Sequence, residues 1–145
     1  MRIQYGALPY RIDATGTLEI LLITTRRTRR WVIPKGWPIK GLKPEKSAAR
    51  EAYEEAGVSG SVGKRPIGRF TYAKSLNDDG RVIPCEVRVF PLKVKRQSIT
   101  WLEAATRDTR WLAPIEALQL VDEPGLRALI AEFSGMVFTG AAAAE

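Results

Sequence analysis

A loop rich in glycine and proline runs from Gly36 directly into a short helical segment reading Arg50-Glu51-Ala52-Tyr53-Glu54-Glu55-Ala56-Gly57-Val58. This stretch limits the architecture more than any other part of the chain. Pro44 suits a first helical turn, where a missing N–H is harmless, and Glu45 favours the positive end of the helix dipole. Gly57 supplies the left-handed stop at the other end. Ala48, Ala49, Ala52, Tyr53 and Ala56 make a small-residue face able to pack closely on a sheet. The opposite face is Ser47, Glu51, Glu54 and Glu55. Because Glu51, Glu54 and Glu55 stand at i, i+3 and i+4, one helical turn points their carboxylates to one side. A carboxylate triplet facing a basic loop can hold a hard divalent cation against a polyphosphate. Arg50, four residues before Glu54, can clamp it.

The plainer alternative is a solvated helix face, where like charges at this spacing cost only about 0.2–0.5 kcal/mol per pair. In a half-buried cleft the balance differs. Two carboxylates about 5 Å apart repel by roughly 3 kcal/mol at an effective dielectric of 20, so a cleft triplet requires a cation or a raised pKa.

The flanking residues discriminate. Gly36, then five residues, position 42, seven residues, Arg50-Glu51, apolar Ala52, Tyr53, Glu54-Glu55, Ala56, Gly57 and apolar Val58 resemble the Nudix box, residues 36–58. Every fixed position matches except position 42, where Leu42 replaces the usual glutamate. That glutamate is implied to brace the loop against the helix, so Leu42 touches the loop clamp more than a cation site; Glu45 is the nearest acid. By the same resemblance Glu54 and Glu55 bind Mg²⁺ or Mn²⁺, helped by Glu51 and the Gly36 carbonyl. Glu51 is alternatively the base that activates water, and Arg50 orients the glutamates. The chain has no histidine, so carboxylates must do this work.

At 145 residues the chain has one domain's worth of length, and it is read as a single Nudix domain over 1–145. No run approaches the roughly 20 apolar residues of a membrane helix. Met1-Arg2-Ile3-Gln4-Tyr5 lacks a signal-peptide core, so a cytoplasmic enzyme is expected. The single cysteine, Cys85, lies in an apolar alternation and is read as core.

The net charge is +7, and nine of the basic residues fall between positions 26 and 50 against Glu45 as sole acid. Such a patch attracts a polyanionic small-molecule substrate. Lys35, Arg27, Arg30 and Lys40 are the candidate phosphate contacts. Nucleic acid is disfavoured, because no helix-turn-helix, zinc finger or aromatic-interleaved RNA motif accompanies the patch.

The remaining segments read as scaffold. Strands are expected at Gln4–Arg11, with Pro9 marking an edge or bulge, at Leu18–Thr24, Trp31–Ile33 and Ile67–Lys74. After a turn at Asn77–Gly80 comes a strand whose face is Ile83, Cys85, Val87 and Val89, with Pro91 expected to shift its phase. Thr109–Leu112 reads as a last strand, Pro114–Leu120 as a short helix, and Leu126, Leu129, Ile130 and Phe133 recur at helical spacing. Residues 134–145 read as a frayed tail. This order is similar to the Nudix fold, an α/β/α sandwich with a mixed sheet between helices.

Trp31-Val32-Ile33-Pro34-Lys35-Gly36 and Trp111-Leu112 resemble the branch acting on diphosphoinositol polyphosphates and dinucleoside polyphosphates. Glu86 and Glu103 are candidate acids outside the box, each weighed against an ordinary salt bridge, and Tyr72 and Trp101 are candidate stacking rings weighed against structural roles. The resemblance implies metal-dependent hydrolysis of a phosphoanhydride bond by water. The alternative class is a non-catalytic Nudix-like module that binds nucleotide or RNA.

Overall fold

Two long strands organise the sheet. In the computed structural model, which describes residues 1–76 and 80–144 and side chains through 136, β1 (Arg2–Ile12) runs parallel to a strand spanning Val82–Gln97, in register from Arg2 opposite Cys85 to Tyr10 opposite Lys93. The other strands are β2 (Leu18–Thr24), β3 (Trp31–Val32), β4 (Lys35–Gly36), β5 (Val58–Val62) and β6 (Gly68–Ser75). Val82–Gln97 is therefore β7, and β8 is Thr109–Leu112. The order β3-β2-β1-β7-β5 is completed by β4 on β1, β6 on β7 and β8 on β2.

Each long strand forks. β1 pairs antiparallel with β4 through Tyr5 and Gly6, then with β2 through Tyr10 to Ile12. Pro9 therefore lies in a central strand rather than at an edge. On the side where the Ala7 N–H reaches the Pro34 carbonyl, the N–H that Pro9 lacks falls between the end of β4 and the start of β2. β7 forks likewise, to β6 over Val82–Val89 and to β5 over Leu92–Gln97.

Helix α1 (Pro44–Ala56) covers one face and α2 (Pro114–Leu120) with α3 (Pro124–Ala144) the other. Ala48, Ala52 and Ala56, all fully buried, let α1 approach Leu21, Ile23, Phe90 and Leu92. Leu8, Ile20, Leu22, Val87 and Val89 meet Leu126, Ile130 and Phe133 on the opposite face. The result is the α/β/α sandwich. Pro91 does not shift the phase of β7: Cys85, Val87 and Val89 face α3, and the alternate set Phe90 and Leu92 becomes buried where α1 covers it. Cys85 is buried core. α3 runs to Ala144, so its backbone is helical through the alanine run expected to fray; alanine has the highest helix propensity. Of the expected turn at Asn77–Gly80, positions 77–79 lie outside the described residues.

Candidate active site

The left-handed Gly57 (φ 70°) ends α1 and donates its N–H to the Tyr53 carbonyl. That stop sets the last turn of α1 against β4 and the segment 98–108, and between them opens a cleft of about 480 Å³. Glu51, Glu55 and Glu103 line it together with Lys35, Lys74, Arg26 and Arg107.

Glu51 and Glu55, one helical turn apart, both line the cleft, and each carboxyl acts on the other. Burial, with Glu51 adding to it, pushes Glu55 up to about 8, against the pull of Arg107 and Lys35. Burial also raises Glu51, and the charges of Glu54 and Glu103 act in the same direction. Glu55 is only 5 % exposed, and its Oε1 accepts the Lys35 backbone N–H at 3.4 Å. Burial lowers the Lys35 ammonium to about 8, and the amine lies 4.8 Å from the centre of the Tyr72 ring.

Gly36 sits where its neighbours need the absence of a side chain: a Cβ there would overlap the Glu51 carboxylate. The Gly36 backbone and the carboxylate pair therefore occupy one locality. Among the described residues no three acidic side chains form a ready-made metal cluster. The carboxylate pair beside the Gly36 backbone fits Mg²⁺, which is commonly held by one or two carboxylates, its own waters and substrate phosphates. A divalent cation would relieve the repulsion between the two carboxylates.

Glu54 stands outside the cleft lining, because i+3 and i+4 positions lie about 100° apart round a helix. Its charge still acts on Glu51, and its carbonyl accepts the Glu103 N–H at 3.0 Å. Arg50 is exposed and has no ion pair among the described residues; it does not clamp Glu54. The arginine beside the glutamates is Arg107, whose Nη2 lies 3.7 Å from Glu55 Oε1 and whose Nε donates to Glu103 Oε1 at 2.8 Å.

Of the four expected phosphate contacts, Lys35 lines the cleft. Arg30 lines a neighbouring cavity of about 290 Å³ that shares Val32 and Lys35 with it. Arg27 and Lys40 are exposed and line neither. Arg26, Lys74 and Arg107 supply the other cleft cations. Glu86 pairs with Arg88 at 2.9 Å and Arg69 at 3.4 Å, so it is the ordinary ion pair. Trp101 packs its ring over Gly57 and donates Nε1–H to the Glu55 carbonyl at 3.1 Å. Tyr72 donates its hydroxyl to Gln4 Oε1 at 2.6 Å and lines the neighbouring cavity. At the loop, Leu42 is partly exposed and Ser47 Oγ accepts the Ile39 N–H at 3.1 Å, so a serine ties the loop to α1.

A mixed sheet between helices, with paired carboxylates at the C-terminal turn of one helix and cations around them, defines an enzyme-like site for a polyanion. The NUDIX domain family matches residues 4–133. "Nudix hydrolase 12, mitochondrial" of Arabidopsis thaliana is 31% identical over 146 residues, covering 91% of this chain and 72% of its own. Diphosphoinositol polyphosphate phosphohydrolase 3-alpha of Mus musculus is 43% identical over 47 residues, 32% of this chain and 29% of its own. A C. elegans Ap4A hydrolase structure superposes with TM-score 0.70 at 20% identity, covering 96% of this chain and 99% of that one. This chain belongs to the Nudix hydrolase family and is a pyrophosphohydrolase of that family.

Proposed function

We propose that the chain, a single Nudix unit, hydrolyses a phosphoanhydride bond with a divalent cation as cofactor and water as nucleophile. Its substrate is a nucleoside-diphosphate-linked compound, a dinucleoside polyphosphate or a diphosphoinositol polyphosphate. The observation that carries this reading is the Glu51–Glu55 carboxylate pair in a cleft walled by Lys35, Lys74 and Arg26. The short, 43%-identical match to the mouse diphosphoinositol polyphosphate phosphohydrolase supports the diphosphoinositol polyphosphate among these.

Mg²⁺ or Mn²⁺ would be held by Glu51 and Glu55 with the Gly36 carbonyl, while Glu54, outside the cleft lining, would act through its charge on Glu51. Such a cation neutralises charge on a diphosphate and lowers the pKa of a water beside it. Lys35, Lys74 and Arg26 bind and align the polyphosphate, which is most of what phosphoryl transfer asks of a protein. Two carboxylates are placed to take the proton as the water oxygen bonds to phosphorus and the P–O anhydride bond breaks: Glu51, and Glu103 from the segment 98–108. The cytoplasmic setting expected from the sequence draws no support from the Arabidopsis relative, whose name gives a mitochondrial one for that protein.

The test is product release from diadenosine polyphosphates, nucleoside triphosphates, ADP-ribose and a diphosphoinositol polyphosphate, with and without Mg²⁺. Cation-dependent release from one of these pools is expected. No release from any, with nucleotide binding unchanged in Glu55→Gln, would favour the non-catalytic module.

Two smaller effects follow from the same geometry. Leu42→Glu is expected to leave kcat/KM within about 3-fold, because position 42 is partly exposed and Ser47 already ties the loop; a change of about 100-fold would give position 42 a chemical part. The second concerns pH. The folded pKa of Glu55, about 8, lies above its ordinary 4.5. The native state therefore binds more protons between those values, and the cation-free protein loses stability as pH rises from about 5 to about 8. Lys35, lowered to about 8, acts in the opposite sense only above that pH. Tm in EDTA should fall across this window and flatten when Mg²⁺ is added. A Tm in EDTA that rises with pH contradicts the raised Glu55 carboxyl.

A further inference from the structure

We propose that Arg107 is a positioning residue: its guanidinium holds the Glu103 carboxylate at the mouth of the Glu51–Glu55 pair. This rests on the reading above, in which Glu103 takes part in the reaction.

The geometry separates Arg107 from the other cleft cations. Lys35, Lys74 and Arg26 have no ion pair among the described residues and remain available to phosphates. Arg107 is committed. Its side chain is 11 % exposed, and all three guanidinium nitrogens face a partner. Nε donates to Glu103 Oε1 at 2.8 Å, Nη1 donates to the Thr24 carbonyl at 3.1 Å, and Nη2 faces Glu55 Oε1 at 3.7 Å. Thr24 is the last residue of β2 and also fixes the neighbouring chain: its Oγ1 accepts the Asp108 N–H at 2.9 Å, and its own N–H donates to the Asp108 carbonyl at 3.1 Å. The fork is thus anchored to the sheet at one end and aims a carboxylate at the other, a task suited to a planar guanidinium and poorly served by an ammonium.

The backbone around Glu103 does not depend on this fork. The segment 98–108 is bound to the end of α1 by the Ser98 N–H on the Gly57 carbonyl (2.8 Å), the Trp101 Nε1–H on the Glu55 carbonyl (3.1 Å) and the Glu103 N–H on the Glu54 carbonyl (3.0 Å). These bonds satisfy carbonyls that a helix end otherwise leaves open. Removing the guanidinium therefore leaves Glu103 in place and frees only its carboxylate to wander.

The experiment is a double-mutant cycle on the substrate found in the screen, using Arg107→Met, Glu103→Gln and both together, with Arg107→Lys as the milder variant. Arg107→Met should lower kcat at least about 10-fold with KM held within about 3-fold, and Arg107→Lys should recover part of the loss. In the Glu103→Gln background the same change should cost less than about 2-fold, because its target is gone. Mn²⁺ binding to the free enzyme, followed by electron paramagnetic resonance, should persist within about 10-fold, since both carboxylates of the pair remain and Glu55 loses only the Arg107 charge 3.7 Å away. Should Arg107→Met lose its cooperative unfolding transition, Arg107→Lys carries the test, with a several-fold fall in kcat and KM kept.

A rise in KM with kcat preserved would make Arg107 a phosphate contact and overturn the proposal. So would a full-sized Arg107 effect in the Glu103→Gln background. Wild-type activity in Glu103→Gln would instead remove Glu103 from the reaction, and Arg107's positioning part with it, while leaving the carboxylate pair as the cation site.

Discussion

Replacing Glu55 by glutamine is expected to lower turnover at least about 100-fold, equivalent to about 2.7 kcal/mol of activation free energy, without lowering the Tm of the cation-free protein. The two effects have opposite origins. Turnover falls because an acidic oxygen that can hold the cation is lost from the cleft. Stability does not fall, because Glu55 is 5 % exposed and burial already works against its charge. A neutral amide of the same shape can keep the contact with Glu51 and removes the need to bury an anion. The checks are kcat at saturating Mg²⁺ and thermal unfolding in EDTA. Wild-type turnover in this variant would refute the assignment. A collapse of Tm would mean that the carboxylate serves the fold.

The second large effect concerns the fold alone. Ala52→Leu is expected to destabilise by about 2–3 kcal/mol, near the upper end of ordinary overpacking. Ala52 is fully buried, on the face of α1 that meets Leu21, Ile23 and Phe90. Three added carbons there must push the helix off the sheet, and the helix carries Glu51 and Glu55. Denaturant unfolding measures the loss directly. A change under about 0.5 kcal/mol, the size of an ordinary surface substitution, would show that the alanine face does not set the helix-to-sheet distance.

Where local chemistry decides structure, the chain is easy to read. β2, β8 and α2 span Leu18–Thr24, Thr109–Leu112 and Pro114–Leu120, and α1 is bounded by Pro44 and Gly57, each marked by apolar runs, prolines or a helix-stopping glycine. β4 and β5 are not marked. Val58-Ser59-Gly60-Ser61-Val62 has little apolar content, and it becomes a strand because β7 offers an edge; at Gly60 a Cβ would collide with the Lys93 backbone. Pro9 and Pro91 mislead for a related reason. Their significance depends on which neighbour ends beside them, and that is known only once the sheet is assembled.

The site divides in the same way. Helical spacing brings Glu51 and Glu55 together, and their neighbour Gly36 follows from its place in the box. Arg107 reaches Glu55 across 52 positions of sequence (107 minus 55) and Lys74 reaches the cleft from β6, so no local pattern announces either. Arg27 and Lys40 belong to a conspicuous basic run, yet a charge run says nothing about which side chains turn inward. Glu103 was legible only as an acid beside Trp101-Leu102, and its placement depends on Trp101 binding the end of α1.

The central claim is that the Glu51–Glu55 pair, whose carboxyls burial holds above their ordinary range, gives up a proton to take a divalent cation. Calorimetric titration of Mn²⁺ into the cation-free protein at pH 7, in two buffers of different ionisation enthalpy, counts the protons released per ion bound. The account predicts release of about one proton per ion in the wild type, and much weaker binding in Glu55→Gln. Tight binding without proton release, or binding unaffected by Glu55→Gln, would contradict it.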